Sequence, residues 1–372
     1  MAERFSLKDH LFNPETIGQL AQEYAQALPE FDVSRFERDA LAGFPDRELL
    51  ERLDWIADCI EAQMPTGFPA MADALEAAMP APLDPSLQDD DFGQFIHAVP
   101  GILAVRHGLE EHRARAMDLL YAATQRFSME FYIRPFLNRW PEETLATLHL
   151  WAQDQNYHVR RLVSEGTRPR LPWAKAVKLT PAQTLPLLDR LHADNARYVT
   201  RSVANHLNDL AKAHDGLVLA HLADWQQKGM QSVKELDWMR RHALRTLVKQ
   251  GHVGALDMLG FRADVKVTVD LKIDTPDVPL GTPLQFDVTV SSTQEVPVLV
   301  DYRIRFARPG DAKTEKVFKL KQGMVTPDKP LQLSKTHKLK ADATTFVLHR
   351  GRHLLTVQVN GVDRASASFE IT

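Results

Sequence analysis

The fold follows from three segments: YHVRRLVSEG (157–166), RYVTRSVANH (197–206) and DWMRRHALRT (237–246). They align on one another without a gap, so Arg161, Arg201 and Arg241 are spaced 40 residues apart. A period of about 40 residues built from helix pairs is typical of HEAT-like repeats, which stack into a solenoid with a concave face. We therefore expect an α-helical repeat domain in which these arginines form a row on one surface.

Hydrophobic periodicity predicts where the helical region ends. From residue 1 to about 261, apolar residues recur at intervals of three and four, with a loop at 80–93. After Phe261 the period changes to two, and apolar residues alternate with polar ones from Val265 to Ile273. The sequence thus predicts a helical domain at 1–261 and a second domain at 262–372.

The second domain has the pattern of a small all-β fold. Seven strand-like runs are separated by turn residues that include Asn360-Gly361, and the runs are 265–273, 284–290, 296–307, 316–321, 331–340, 353–359 and 365–372. Seven short strands in roughly 110 residues predict a β-sandwich of immunoglobulin-like type. Cys59 is the only cysteine, so the disulfide of secreted immunoglobulin domains and any cysteine-based zinc cluster are excluded.

Charge is distributed unevenly along the chain. The formal net charge is −4, but residues 1–93 contain 6 Lys/Arg and 20 Asp/Glu, residues 94–261 contain 22 and 16, and residues 262–372 contain 17 and 13. Any face that binds a polyanion such as DNA would therefore be made by the later two regions, although a modest basic excess is also typical of an ordinary solvated surface. The N-terminal residues MAERFSLKDH include no apolar run of signal-peptide length, and we expect a cytoplasmic protein.

Several catalytic signatures are missing from the sequence. It contains no Walker-type GK[ST] loop, no GxGxxG, no GxSxG elbow and no HExxH. His107 and His112 are five residues apart and lack an obvious third ligand, so no metal site is expected there. His206 is expected to be structural.

Four longer motifs are specific enough to indicate a protein family. They are RFSMEFYIRPFL (126–137), WAQDQNYHVRRLVSEGTRPRLPW (151–173), YVTRSVANHLNDLAK (198–212) and WMRRHALRTLVKQGHVGALDMLGF (238–261). Together they resemble the AlkC branch of the AlkC/AlkD DNA glycosylases over nearly the whole helical region, and the opening FSLKDHLFN is similar to the start of that family. Some members of the family carry a C-terminal immunoglobulin-like domain, as this chain is expected to.

The resemblance implies a reaction. It implies hydrolysis of the N-glycosidic bond of cationic alkylated bases, chiefly 3-methyladenine and 3-methylcytosine, in double-stranded DNA, leaving an abasic site. It also implies that no metal or cofactor is needed, and that the damaged nucleotide is not turned fully into a pocket, unlike in most glycosylases. We expect a monomeric bacterial protein that holds bent DNA on the concave surface.

Carboxylates suit this chemistry. A base methylated at a ring nitrogen is positively charged and leaves readily, so the enzyme must mainly stabilise the electron-deficient sugar and direct water onto it. Within the family motifs, Glu165 is the first candidate for this role and Glu130 the second. Each is also four residues from an arginine, Glu130 from Arg134 and Glu165 from Arg161, so both are alternatively explained as helix salt bridges.

The remaining candidates for catalysis surround these motifs. Arg161 is expected to orient Glu165 and contact a phosphate. Trp173 follows a proline and is expected on a loop, where it stacks on the damaged base or sugar or, alternatively, fills a packing gap. Trp151 and Asp154 rank lower. Both are expected to contact the DNA with similar groups, although Asp154 equally suits a cap of the helix that follows.

Arginine, lysine and polar residues of the repeats are expected to bind DNA. The candidates are Arg134, Arg160, Arg201, Asn205, Asp209, Arg240, Arg241, Arg245 and Lys249. Salt bridges and hydrogen bonds between repeats are the alternative for all of them. In the C-terminal domain, basic residues suggest a DNA clamp, or else lysines that protect strand edges: Arg303, Arg305, Arg308, Lys316, Lys319 and Lys321. For the whole protein, the rival function is a HEAT-repeat scaffold that binds DNA or protein without catalysis.

Overall fold

A computed structural model describes residues 6–87, 89, 91–308, 314–339 and 347–372. Residues before Val267 form helices, and the described helices are α1 (Leu7–Leu11), α2 (Pro14–Ala27), α3 (Val33–Ala42), α4 (Leu49–Glu61), α5 (Phe68–Ala77), α6 (Val99–Leu103), α7 (Arg113–Thr124), α8 (Ile133–Arg139), α9 (Pro141–Trp151), α10 (Tyr157–Gly166), α11 (Pro181–Leu191), α12 (Arg197–Ala211), α13 (Asp215–Lys228), α14 (Val233–Ala243), α15 (Arg245–Lys249) and α16 (Val253–Met258). Among these residues, no helix combines the length and the apolar character needed to cross a membrane.

The chain divides into two compact units. The first comprises Met1–Leu210 with Trp225–Ser232, and the second comprises Ala211–Asp224 with Val233–Thr372. The change from helix to strand lies between Met258 and Val267, close to the predicted position. The last helices, α14 to α16, belong to the same compact unit as the strands.

The repeated segments form the second helix of successive helix pairs, as predicted. They begin α10 and α12 and cover most of α14, whose helix ends at Ala243 inside the third segment. The shared apolar position, Val159, Val199 or Met239, is fully buried in each case. These side chains anchor their helices to the core.

The turn before each of the first two repeat helices is built in the same way. Asp154 Oδ1 accepts a hydrogen bond from the backbone N–H of Asn156 (2.7 Å), and Asp194 Oδ1 accepts one from that of Ala196 (2.8 Å). Carboxylates that bond the backbone two residues on favour turns over helix continuation. The 40-residue period therefore includes the turn as well as the helix.

The C-terminal residues form a two-sheet β fold. Its strands are β1 (Val267–Ile273), β2 (Asp277–Val278), β3 (Leu284–Ser292), β4 (Val296–Phe306), β5 (Thr314–Val325), β6 (Leu331–His337), β7 (Gly351–Val359) and β8 (Val362–Ile371). One sheet has the order β1-β3-β6 and the other β2-β8-β7-β4-β5. All seven predicted strands are present, β2 is additional, and Lys340 at the end of the fifth predicted run lies outside the described residues.

The hairpin between β7 and β8 packs against the last helices. Asn360 and Gly361 have φ of 53° and 78°, the left-handed backbone that a tight hairpin turn requires. A side chain at Gly361 would meet the backbone oxygen of Gly251 at 2.7 Å, and its φ is positive, so only glycine fits. Asn360 is fully buried, and its Nδ2 donates to the carbonyl of Arg262 (2.9 Å) in the segment between α16 and β1.

Candidate active site

Glu165 lies near the end of α10 and is almost completely buried, with 5% of its surface exposed. Its Oε1 accepts a hydrogen bond from Arg168 Nη1, and its Oε2 accepts one from Ser202 Oγ (2.6 Å). Burial raises the pKa of the carboxyl, but Arg161, Arg168 and the two hydrogen bonds outweigh it, and the pKa lies below the ordinary value. Glu165 is therefore an anion at neutral pH.

Glu130 is held by Arg161. It lies in the turn before α8, and its Oε2 accepts hydrogen bonds from Ser128 Oγ (2.6 Å) and Arg161 Nη1 (2.7 Å). The Arg161 guanidinium also stands over the ring of Tyr198, at 4.3 Å from the centroid. Burial lowers the pKa of Arg161, but the charges of Glu130 and Glu165 raise it further, so the net pKa is above its ordinary value.

The observed ion pairs differ from the helix salt bridges that spacing alone suggests. Glu130 pairs with Arg161 across 31 residues, and Glu165 pairs with Arg168 three residues on. Arg161 lies between the two carboxylates and interacts electrostatically with both. The two motif glutamates are thus brought into one site.

Sequence reasoning missed Arg168 and Ser202. Arg168 Nε and Nη2 both donate to Asp209 Oδ2, at 3.0 and 2.9 Å, while Nη1 holds Glu165. Arg168 stands in the SEGTRPR string, which was a usable signal, whereas Ser202 is brought close only by the stacking of α12 on α10. Asp209 is buried and bonded to Arg168, which corrects the prediction that it contacts DNA.

The prediction for Arg134 also needs correction. Its side chain is fully buried, with its Nε donating to the carbonyl of Lys175 (2.5 Å) and its Nη1 to those of Gly166 (3.0 Å) and Arg168 (2.8 Å). Burial, followed by the charge of Arg168, lowers the pKa of Arg134 to about 10. Arg134 therefore holds both ends of the loop after α10 and does not face a phosphate.

That loop presents Trp173 to solvent. Trp173 is 65% exposed and has φ of 64°, so it is not a packing plug. Asn138 of α8 fixes the far end of the loop, since its Nδ2 donates to the carbonyl of Ala176 (2.9 Å) and its Oδ1 accepts from the N–H of Lys178 (3.1 Å). The loop is therefore tethered at both ends and leaves the Trp173 ring accessible.

Trp151 and Asp154 have structural roles instead of the predicted DNA contacts. The Trp151 ring is buried and packs against Tyr121, with 5.6 Å between ring centroids. Asp154 accepts from the hydroxyl of Tyr121 (2.8 Å) as well as from the backbone of the following turn. Asp154 does not cap α10 either, because the capping side chain is that of Asn156, which accepts from the N–H of His158 (2.8 Å).

Arg160 and Arg240 are also tied to the protein. Arg160 bonds Asp194 of the next repeat through Nε (2.5 Å) and Nη2 (2.9 Å), which is the inter-repeat salt bridge given as the alternative. Arg240 is buried, and its Nη1 lies 3.9 Å from Oδ1 of Asp237. Neither guanidinium is presented to a DNA backbone in this arrangement.

Arg201 and Asn205 lie on α12 in the first unit, and both are half-buried. Arg201 forms an ion pair with Asp89 of the acidic loop at 80–93. On the neighbouring Tyr198, the ring of Phe92 from the same loop packs at 5.9 Å between centroids. Arg201 therefore lies close to the surface, where its guanidinium is paired with the carboxylate of Asp89 from the same chain.

The second unit contains a basic cleft. Arg241, Arg245 and Lys249 are exposed at intervals of four residues along α14 and α15. They line one cleft together with residues of β4, β5 and β6, and the members from the strands include Asp301, Tyr302, Phe318, Lys319 and Lys335. Of the basic residues singled out in the sequence, Arg303 and Arg305 instead pair with carboxylates on the sheet, Asp363 and Glu315.

The buried histidines support the structure. Burial lowers the pKa of His158 and His206 to about 4 each, so both are neutral at physiological pH. His206 Nδ1 bonds the carbonyl of Ser164 (3.1 Å), in agreement with its predicted structural role. Among the described residues, no group of three or more His, Cys, Asp or Glu side chains is arranged to hold a metal ion.

Comparisons with known proteins find relatives that match this chain over one domain or over nearly its whole length. Residues 267–372 match the family described as "Uncharacterised protein YhaZ, C-terminal Ig-like domain". Protein YhaZ of Bacillus subtilis (strain 168) is 31% identical over 366 residues, which cover 97% of this chain and 98% of YhaZ. Among solved structures, the alkylpurine DNA glycosylase AlkC of Pseudomonas fluorescens, bound to DNA containing an abasic site analog, matches with a TM-score of 0.86 and 32% identity over 99% of this chain and 100% of AlkC.

Both relatives cover helices and strands alike, so the likeness extends over the repeats, the site on α10 and the β domain together. The chain therefore belongs to the AlkC branch of the AlkC/AlkD HEAT-like repeat family, in the form that carries a C-terminal immunoglobulin-like domain.

Proposed function

We propose that this protein is a DNA glycosylase that hydrolyses the N-glycosidic bond of cationic alkylated bases in duplex DNA. The substrates would be 3-methyladenine and 3-methylcytosine, and the product an abasic site. The observation that carries this proposal is the buried, anionic Glu165 beside Glu130 and Arg161, in a chain similar over its full length to a protein described as an alkylpurine DNA glycosylase. We further infer a monomeric, cytoplasmic bacterial protein.

The charge of the site fits a cationic transition state. Three carboxylates, Glu130, Glu165 and Asp209, are linked by the guanidinium groups of Arg161 and Arg168. The buried guanidinium of Arg134 also interacts with all three, so each carboxylate is held as an anion among fixed cations. As the base departs, positive charge develops on the deoxyribose, and a fixed anion nearby stabilises it. Because these carboxylates and guanidinium groups are already paired and fixed, the site needs little reorganisation during the reaction.

Glu165 acts as the carboxylate nearest the sugar. The C1′–N bond breaks with its electron pair going to the base, which leaves as a neutral molecule because it began as a cation. A water molecule then forms the new C1′–O bond, and Glu165 orients it by accepting a hydrogen bond before the proton passes to solvent. The low pKa of Glu165 suits electrostatic stabilisation and orientation better than strong general-base catalysis.

Arg161 and Trp173 complete the site in this proposal. Arg161 holds Glu130, interacts with Glu165 and can contact a phosphate at its remaining surface. Trp173 stacks on the damaged base or sugar, where its π-face attracts positive charge. Because the aromatic group comes from an exposed loop, it can approach a base that has not been turned into a pocket.

The DNA backbone is bound by basic and polar residues of both units. Arg201 and Asn205 would do this in the first unit, and Arg241, Arg245 and Lys249 in the second. The cleft that these last three line with Lys319 and Lys335 supports the idea of the β domain as a DNA clamp, since five cations surround it. Deletion of 262–372 would not test the clamp cleanly. Because α14 to α16 share a compact unit with the strands, the deletion would also disturb these helices.

A non-catalytic repeat scaffold is the competing proposal. Such a protein would need basic surface but no buried anion between two arginines, so the arrangement around Glu165 favours the enzyme. Base release from duplexes that contain 3-methyladenine or 3-methylcytosine, in buffer with a metal chelator, tests the reaction. Release supports the glycosylase, whereas DNA binding without release from either duplex supports the scaffold.

A further inference from the structure

Arg168 links two repeats behind the candidate catalytic carboxylate. It is the second residue after α10, and it bonds Glu165 of α10 and Asp209 of α12 at the same time. All three side chains are nearly buried. An arginine bonded to two carboxylates in this way has its guanidinium plane fixed, because each carboxylate engages a different edge of the planar group.

We propose that Arg168, supported by Asp209, is a positioning residue that sets the orientation and the negative charge of Glu165. This inference rests on the proposed glycosylase reaction. Arg168 itself does not touch substrate in this role, since its side chain is only 11% exposed and three of its five N–H donors are engaged by Glu165 and Asp209.

The geometry around Glu165 supports positioning. Arg168 bonds Oε1 from the loop, and Ser202 bonds Oε2 from α12, so the two carboxylate oxygens are fixed from different elements. Two contacts on different oxygens define the plane of the carboxylate and leave its other lone pairs for water or sugar. Loss of either contact would let the group rotate within the site.

The charges that face Glu165 come from every neighbouring element. Arg161 lies on its own helix, Arg168 on the following loop, and Asp209 and the neutral His206 on α12. Glu130 and Arg134 face it from the turn before α8 and from α8. Removing the charge of Arg168, together with the charge of Asp209, would leave Arg161 as the main cation that favours the ionised form of Glu165.

The variant Arg168→Lys separates the effect of orienting Glu165 from the effect of a positive charge beside it. Arg168→Lys retains a positive charge, but a single ammonium cannot reproduce the three bonds of the guanidinium. The double variant Arg168→Gln with Asp209→Asn removes both charges. Asp209 is changed as well because its carboxylate would otherwise be buried without its arginine partner. Arg115→Lys is the matched control, because Arg115 also bridges two carboxylates, Asp73 and Glu76, in a different part of the helical region.

The measurements are the single-turnover release of 3-methylcytosine from a duplex, its pH dependence, and the Kd for a duplex with an abasic-site analogue. We expect Arg168→Lys to release base about 10- to 100-fold more slowly than wild type, as for a small misplacement of a reacting group, with Kd changed less than about twofold. Its pH profile should keep the acid limb of the wild type. The double variant should also be slow, and its acid limb should move to higher pH by about one unit.

Three outcomes would overturn the inference. One is release by both position-168 variants within about twofold of Arg115→Lys. Another is a parallel loss of release and binding with an unchanged acid limb, which is what a purely structural ion pair predicts. The third is an absence of release by the wild type itself, which refutes the proposed function and with it the reaction that Arg168 would serve.

Discussion

The carboxylate of Asp89 forms an ion pair with Nη2 of Arg201. Arg201 is a candidate for DNA backbone binding, so a phosphate has to replace Asp89 to reach it. Both side chains are partly exposed, with about a third of each accessible, and such ion pairs are readily exchanged. The acidic front third of the chain therefore reaches directly into the proposed DNA-binding surface.

Asp89→Asn should tighten binding to an undamaged duplex by about two- to fivefold, the range expected of a partly exposed ion pair. The measurement is fluorescence anisotropy at fixed salt. Asp84→Asn is the control, because Asp84 is an exposed residue of the same loop that bonds the backbone of Ser86. If both variants tighten binding equally, the effect is general electrostatics and not competition at Arg201.

Trp173→Ala should lower base release about tenfold or more while leaving the Tm unchanged. The side chain is mostly exposed, so little packing is lost, and alanine is no more strained than tryptophan at this positive φ. Leu150→Ala, at an exposed residue of α9, is the control for removing surface apolar area. A lower Tm with unchanged release would assign Trp173 to packing.

The rate of base release should show no acid limb between pH 6 and 7. Glu165 has a pKa below its ordinary value of about 4.3, so it stays anionic as pH falls through this range. His158 and His206 have a pKa of about 4 and remain neutral there, so neither contributes a transition. A single-turnover pH profile that falls below pH 6.5 would show that another group controls the reaction.

Neutralising Lys319 and Lys335 together should weaken DNA binding and reduce the slope of log K against log salt by about one to two. The two lysines line the cleft shared by α14, α15 and the strands, where a phosphate backbone would displace counterions. Lys266→Gln with Lys272→Gln provides the control, because both residues are exposed outside that cleft. Equal salt slopes for wild type and the Lys319/Lys335 variant would exclude the clamp at this cleft.

The sequence predicted the repeats, and it singled out two glutamates that the structure brings into one site, because local patterns mark both. Val159, Val199 and Met239 recur at one spacing and are fully buried, and Glu130 and Glu165 lie in motifs that resemble one family. Alternation of apolar residues predicted seven of the eight strands. The exception, β2, is two residues long, too short for any alternation to be detected.

The partners of the charged side chains could not be predicted in the same way. Arg160 and Arg161 are adjacent, yet one bonds Asp194 of the next repeat and the other bonds Glu130 before α8. Their directions depend on how successive helices stack, which no spacing within one helix records. Arginines are rarely buried completely, so the burial of Arg134 against loop carbonyls runs against what its residue type predicts.

The most direct test of the account compares wild type with Glu165→Gln on a duplex that contains 3-methylcytosine, with the Kd for an abasic-site duplex measured in parallel. The substitution removes the charge and keeps the shape, so Ser202 and Arg168 retain a side chain to contact. If Glu165 stabilises the transition state, the variant loses base release by about 100-fold or more while binding is nearly unchanged, the pattern of a group needed only in the transition state. Release at the wild-type rate by Glu165→Gln would contradict the central role of this carboxylate.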